Sequence, residues 1–288
     1  MIDTAKLSIV IPAKNEAESL GQLLQSIRAQ FTTAEIIVVN DGSHDNTVDV
    51  SQANGALVVS HPYSMGNGAA VKTGVRNAKG DVVVCMDADG QHDPGDIARL
   101  LAKLDEGFDM AVGARGTDSQ ATVGRSLANR LYNKLASWMV GHRIADLTSG
   151  FRAARTEKFR EFLQLLPNGF SYPTTITMAF FRAGYPVAYV PIRAHERTGN
   201  SHIRPLQDGM RFLLIIFRVG TLYSPLKIFV PISLFFFLSG LSYYIYTFIT
   251  AGRFTNMASV LFTTSVIIFL IGLVSEQITS LQYHRKDS

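Results

Sequence analysis

The sequence predicts an α/β fold, a mainly parallel sheet flanked by helices, followed by an interface helix and a C-terminal pair of membrane-spanning helices. Three observations predict it. Short β-branched runs alternate with helix-like stretches between Leu7 and Ile192, the order of elements that covers a parallel sheet with helices. The composition shifts near residue 205, after which Phe, Ile, Leu, Val and Tyr dominate. Two apolar runs in that last third each approach the ~20 residues that a helix needs to cross a bilayer. A chain of 288 residues has room for one sizeable domain and an appendage. The expected division is a globular domain at 1–204, an amphipathic segment at 205–227, and a hairpin with a basic tail at 228–288.

Strands are expected at Leu7–Ile11, Glu35–Val39, Ala56–Val59, Val82–Met86, Met110–Gly113 and Val187–Val190. Between them Glu16–Ala29, Asn67–Ala78 and Asp96–Leu104 read as helices, the last started by Pro94. A longer helix, Arg125–Val140, follows from Leu127, Leu131, Leu135, Trp138 and Met139 at helical spacing, which puts Trp138 in the core rather than on a sugar platform. After Pro205, the run Phe212–Phe217 between Arg211 and Arg218 reads as a helix lying in a membrane interface. Ile228–Thr250 and Met257–Ile278 are long enough to span, and the short connector Ala251–Asn256 makes them a hairpin.

A hairpin returns the chain to the side it left. Arg193, Arg197, Arg204, Arg211, Arg218 and Lys227, with His284, Arg285 and Lys286 in the tail, concentrate positive charge on that side. The positive-inside rule makes it the cytosol, so the chain is expected to be an integral membrane protein with its globular domain on the cytosolic face. Met1 to Lys6 offers neither a basic start nor a small-residue cleavage site, so no secretory signal is expected. The net charge of +4 gathers beside the apolar tail, where anionic headgroups or a phosphate substrate would lie; without a recognisable reading module, nucleic acid is not expected as a partner. Cys85 is the lone cysteine, which excludes an intrachain disulfide and a cysteine-based metal cluster, and reads as a small buried strand residue.

The chemistry is densest where the strand ending at Met86 runs into Asp87-Ala88-Asp89-Gly90-Gln91. Open α/β sheets bind ligands at the carboxyl ends of their strands. Two carboxylates one residue apart at such an end supply hard oxygens that can hold Mg2+ or Mn2+ against a diphosphate. Glu35–Val39 also ends in a polar turn, Asn40-Asp41-Gly42-Ser43, and Asp41 could accept hydrogen bonds from a base or ribose. Pro12-Ala13-Lys14-Asn15-Glu16 follows the first strand and could line a nucleotide pocket. Each motif alone is also an ordinary strand-ending turn. Gly66-Asn67-Gly68 suggests a phosphate cradle but lacks P-loop spacing, and no GxGxxG follows the first strand, which disfavours a dinucleotide dehydrogenase.

IPAKNE at 11–16, VVNDGSHDNT at 38–47, DADGQHDP at 87–94, GARG at 113–116, DLTSGFR at 146–152, the Arg197–Ser201 loop and the terminal hairpin occur in one order along nearly the whole chain. In this the sequence resembles the family 2 glycosyltransferases of the GT-A fold, and among them dolichyl-phosphate mannose synthases and bacterial polyprenyl-phosphate sugar transferases. The resemblance implies that Asp87, Asp89 and Gln91 hold the metal. Pro12, Ala13, Asn15, Glu16, Asp41 and Ala88 would line the nucleotide-sugar site, with Arg197 and Ser201 on a loop closing over the donor diphosphate. Arg115, Arg125 and Asn129 would bind the phosphate of a polyprenyl lipid, and Arg125 and Asn129 at i and i+4 do share one helix face. Asn40 and His202 depart from the family, which often has an acid and a lysine there.

The implied reaction moves a hexosyl group from a UDP- or GDP-linked donor to a polyprenyl phosphate by single displacement with inversion. Asp146 is the candidate for a base or for orienting arginines, alongside Asp89 and Arg115 as catalytic residues. Transfer to a glycolipid or saccharide hydroxyl is the nearest alternative. A nucleotidyltransferase would not need spans, and a non-enzymatic membrane scaffold would not need the acids. Partners compatible with these features are the nucleotide-sugar, the polyprenyl phosphate, the membrane and a second copy of the chain in a homo-oligomer.

Overall fold

The computed structural model describes residues 2–115, 123–169, 171–193, 220–221 and 223–284, with only the backbone in 123–131 and 282–284. Arg197, Ser201, His202, the Arg211–Arg218 interface helix and the tail residues Arg285 and Lys286 lie outside the described residues. The chain divides into two compact units, 1–203 and 204–288.

The first unit is built on a seven-stranded sheet in the order β3-β2-β1-β4-β6-β5-β7. Its strands are β1 (Leu7–Ala13), β2 (Glu35–Asn40), β3 (Leu57–Ser60), β4 (Val82–Cys85), β5 (Met110–Arg115), β6 (Arg152–Arg155) and β7 (Val187–Ile192). β1 pairs in parallel with β2 and β4, β2 with β3, and β5 with β7. The helices are α1 (Ala17–Gln30), α2 (Thr47–Ala53), α3 (Asn67–Asn77), α4 (Asp96–Asp105), α5 (Val123–Val140), α6 (Thr156–Glu161) and α7 (Tyr172–Arg182). Leu20, Leu24 and Ile27 of α1 and Ile97, Leu100 and Leu104 of α4 pack with Ile9, Ile11, Val38 and Val84 of the sheet in one buried cluster. Apolar residues at helical spacing thus meet apolar strands buried on both faces.

Four features depart from the sequence reading. The first is β6, which enters antiparallel between β4 and β5. Its sequence, Arg-Ala-Ala-Arg, hides the strand because Arg152 is a fully buried cation. That guanidinium donates to the carbonyl oxygens of Ser149 and Pro173 and to Thr177 Oγ1, and lies over the Tyr172 ring. The second is α7, whose β-branched Thr174, Thr175, Ile176 and Thr177 favour strand locally; nearly the whole helix is buried, so tertiary packing overrides propensity.

The third is Trp138, expected in the core but 53% exposed. Tyr132, Ala136 and Met139 form the buried stripe of α5. Trp138, two residues beyond Ala136, falls about 200° round a helix of 3.6 residues per turn. The fourth is Pro12, expected to follow the first strand but lying inside β1 opposite Val39. The Val10 carbonyl bonds to Met86 on the β4 side. Pro12, two residues on, therefore turns its missing N–H to that same side, past the last β1–β4 pair.

The second unit contains a hairpin of two long helices, Pro225–Ala251 and Asn256–His284. They contain the expected spans, and both are long and apolar enough to cross a membrane. Ser233 and Ser265 each donate to the other's carbonyl oxygen, at 2.9 and 3.0 Å, and Gly240 faces Leu261 and Phe262 at close range. Small residues and paired hydroxyls at the helix contact, with bulky apolar side chains outward, suit packing inside lipid. Glu276 accepts from the Leu226 amide at the start of the first helix, where an exposed N–H end favours a carboxylate.

Gly68 shows how tightly α3 is seated. A Cβ there would come within 2.1 Å of the Pro167 carbonyl oxygen, while the Gly68 and Ala69 amides donate to Gly169 and Asn168. Gly68→Ala is expected to destabilise the protein by about 1–3 kcal/mol, measured by chemical denaturation in detergent. A change inside ~0.5 kcal/mol, typical of uninvolved surface sites, would show that the 167–169 segment yields freely.

Candidate active site

Loops from the carboxyl ends of β1, β2 and β3 are cross-linked by short polar contacts. The Asp41 amide donates to the Ala13 carbonyl, the Asn15 amide to Ser43 Oγ, and the His44 amide to Asn15 Oδ1. The Glu16 amide donates to Thr47 Oγ1 and the Ala17 amide to Asp45. Asn15 takes a positive φ of 55°, a left-handed turn that asparagine tolerates better than most residues. Asp41 is buried and accepts from four donors: His61 Nδ1, Ser64 Oγ and the amides of Met65 and Gly66. Burial raises its proton affinity, but those donors outweigh it and hold the carboxyl below its ordinary range. Asp41 is thus the anchor of the 61–66 loop.

Beyond β4 the chain turns through Asp87-Ala88-Asp89 and Gly90, whose φ is +70°. Ser19 of α1 donates to the Ala88 carbonyl at 2.8 Å, and the Gln91 amide donates to Asp89 Oδ1 at 3.1 Å. Asp87 reaches the 146–151 loop: a Cβ on Gly150 would lie 2.7 Å from Asp87 Oδ2. Burial pushes the Asp87 carboxyl up, and Asp89 pushes it further; His92, a hydrogen bond from Asn67 and Arg115 oppose the rise. Two carboxylates held together against their mutual repulsion, offering hard oxygens, are a donor set that fits Mg2+ or Mn2+. Cys85, beneath them on β4, is inert: burial pushes its thiol up to about 12.

Arg115, at the end of β5, is locked to Asp146. Nε meets Asp146 Oδ2 at 2.8 Å and Nη2 meets Oδ1 at 3.1 Å, with a further bond from Nη2 to Thr148 Oγ1 at 2.7 Å. Nη1 stays uncommitted among the described residues. The amides of Thr148 and Ser149 also donate to Asp146. Burial works against ionising Asp146, yet the Arg115 guanidinium and the amides of Thr148 and Arg115 keep its carboxyl below the ordinary range. A carboxylate so committed is a poor proton acceptor and a good holder of an arginine.

The structure therefore brings Pro12, Ala13, Asn15, Glu16, Asp41, Asp87, Ala88, Asp89, Gln91, Arg115 and Asp146 to the strand ends and loops along one edge of the sheet. Arg125 and Asn129 fall on the α5 backbone, and Arg197 and Ser201 lie outside the described residues. Two residues were not singled out by the sequence reading. Asn67 hydrogen-bonds Asp87; its signal was the Gly66-Asn67-Gly68 segment, where the Gly66 amide proves to be engaged by Asp41 and the Gly68 amide by the Gly169 carbonyl rather than free for phosphate. His92 is buried and stacks on Phe151 with centroids 4.9 Å apart, a contact that no local pattern announces.

A family model described as glycosyl transferase family 2 matches residues 8–163, and one described as GtrB C-terminal hairpin matches residues 224–281. Glycosyltransferase AglJ of Haloferax volcanii is 28% identical, over 96% of this chain and 94% of its own. A dolichyl-phosphate hexose transferase of the same organism is 31% identical, over 70% of this chain and 89% of its own. Among solved structures, glucosyl-3-phosphoglycerate synthase from Mycobacterium tuberculosis, crystallised with Mn2+, UDP and glucosyl-3-phosphoglycerate, superposes with a TM-score of 0.59 at 25% identity, covering 75% of this chain and 78% of that one. The same enzyme has been crystallised with Mg2+ and UDP. With its GT-A-like sheet, its paired aspartates at the β4 tip and its apolar hairpin, the chain belongs to glycosyl transferase family 2 and is a glycosyltransferase.

Proposed function

We propose that this glycosyltransferase moves a hexosyl group from a UDP- or GDP-linked donor to a polyprenyl phosphate, with inversion, at the cytosolic face of a membrane. The observation that carries the reading is the ion pair between Arg115 and Asp146 beside the paired aspartates. An acceptor hydroxyl needs a base. A phosphate monoester is already anionic near neutral pH, so a site whose best-placed acid is committed to an arginine suits a phosphate acceptor. The relative named for dolichyl phosphate and the hairpin of two apolar helices support the same acceptor class.

Asp87, Asp89 and Gln91 would hold Mg2+ or Mn2+, which when bound offsets negative charge on the donor diphosphate. Pro12, Ala13, Asn15, Glu16 and Ala88 line the nucleotide-sugar site, and Asp41 shapes it by holding the 61–66 loop. Arg197 and Ser201 contact the donor diphosphate. Arg115, positioned by Asp146, binds the acceptor phosphate with Arg125 and Asn129. A phosphate oxygen forms a bond to the anomeric carbon as the bond from that carbon to the diphosphate oxygen breaks. Alignment and charge stabilisation supply the rate. The catalytic domain comprises 1–204, the interface segment 205–227 and the anchor 228–288.

Purified protein given a panel of UDP- and GDP-hexoses with polyprenyl phosphate is expected to yield a lipid-phosphate-sugar, identified by mass and by lability in mild acid. An acid-stable product formed only on a hydroxyl acceptor would overturn the assignment. Asp89→Asn should lower kcat/KM by on the order of 100-fold or more, since even outer-shell changes at metal sites cost ~10–100-fold. Chelation should abolish turnover, and added Mn2+ or Mg2+ should restore it. Asp146→Asn separates positioning from base catalysis. Positioning predicts a raised KM for polyprenyl phosphate with an unchanged pH profile, whereas a base predicts a collapsed kcat and a lost limb of that profile.

A further inference from the structure

The sole tryptophan of the chain stands on the outside of the catalytic unit. Trp138 has Lys134 one turn before it on the same face of α5, and the chain leaves the helix through Gly141 into exposed His142 and Arg143. Lys134 and Arg143 have no carboxylate partner among the described residues. The nearby acid in sequence, Asp146, is buried and engaged by Arg115. His142 is stacked on Phe181 of α7, with centroids 5.7 Å apart and planes 14° from parallel. The end of α5 and its exit are fixed from within: Asn133 binds the Ala145 carbonyl and the Leu147 amide, and Ser137 Oγ accepts from the Ile144 amide. The result is an exposed indole on a fixed helix end, with Lys134 and Arg143 near it in the chain and neither held in an ion pair among the described residues.

An indole places an apolar body and one N–H donor at the same spot, which is why tryptophan collects at bilayer headgroups. Lysine and arginine beside it can bury their stems while their charges meet anionic lipid. A hydrophobic side chain left exposed among cations costs free energy in water that such a surface recovers. We infer that the Trp138 patch, with Lys134, His142 and Arg143, is a membrane-docking surface of the catalytic unit that takes the headgroup region of an anionic bilayer. It adds a contact beyond the hairpin and is independent of which sugar or lipid carrier the enzyme uses. Charge complementarity selects anionic lipid over a second copy of the chain, because the same basic patch on a second copy would repel it.

Because the chain has one tryptophan, its fluorescence reads this surface alone. The full-length protein is placed in nanodiscs of phosphatidylcholine and phosphatidylglycerol, with and without bromine on the acyl chains. Docking predicts blue-shifted emission that is lost in the brominated discs. The loss should shrink when phosphatidylglycerol is omitted, and shrink likewise in the double variant K134E/R143E. Trp138→Phe supplies the blank and is expected to fold normally, since the side chain is exposed. Emission that stays at the water-exposed wavelength and ignores bromine overturns the inference. So does a blue shift that ignores bromine but grows with protein concentration, which would assign the patch to a second copy. Bromine quenching equal in neutral and anionic discs would overturn the anionic-lipid assignment.

Discussion

The catalytic unit depends on the approach of Asp87 to the backbone of Gly150. Glycine leaves room for that approach, since a Cβ there would lie 2.7 Å from Asp87 Oδ2 and the carboxylate would have to shift. The approach is set by β6, which runs antiparallel between β4 and β5 so that Arg152 pairs with Cys85 on one side and Val112 on the other. The loop that precedes β6 is thereby delivered against the loop that follows β4. Without that inserted strand, the aspartates and the Asp146–Arg115 pair would be separate strand-end features rather than one site.

Charge within the site is distributed to keep this arrangement occupied. Arg115 lies within electrostatic reach of both Asp87 and Asp89 while its forked bonds go to Asp146. Arg152, fully buried, directs Nη1 and Nη2 to carbonyl oxygens and a threonine hydroxyl instead of a carboxylate, and its Nε has no partner among the described residues. Leaving a guanidinium buried and unpaired is costly, and its retention ties the 149–152 backbone to α7. Around the opposite part of the sheet edge, side chains and amides of the β1, β2 and β3 loops do the corresponding task by bonding to one another, Asp41 and Asp45 among the acceptors. The edge is therefore ordered by its own contacts, which reduces the ordering that any ligand bound there would have to impose.

The second unit follows different physics. Outward residues such as Phe235 and Ile249 are exposed in the absence of lipid, while the contact between the helices is made by Ser233, Ser265, Gly240 and Gly272. In a bilayer apolar surface gives no reason for two helices to associate, and close approach with exchanged hydrogen bonds does. These contacts hold the two helices of the hairpin to each other.

The sequence by itself determined the α/β class, the parallel strands, the hairpin and the acids at the β4 tip, because these rest on local periodicity, apolar length and turn chemistry. It did not determine β6 or α7: two arginines bracket the one, β-branched threonines fill the other, and only burial against neighbours decides such segments. It placed Trp138 inside because helical spacing marks a face without saying where that face ends. It found Asp41, Asp87, Asp89 and Asp146 as chemically apt residues but not their partners. That Asp41 holds a loop, that Asp146 grips Arg115, and that Asn67 and His92 stand beside the aspartates came from contacts between residues distant in the chain. Tertiary structure decided these because the partner of a buried charge is set by what the fold brings near, which no local spacing encodes.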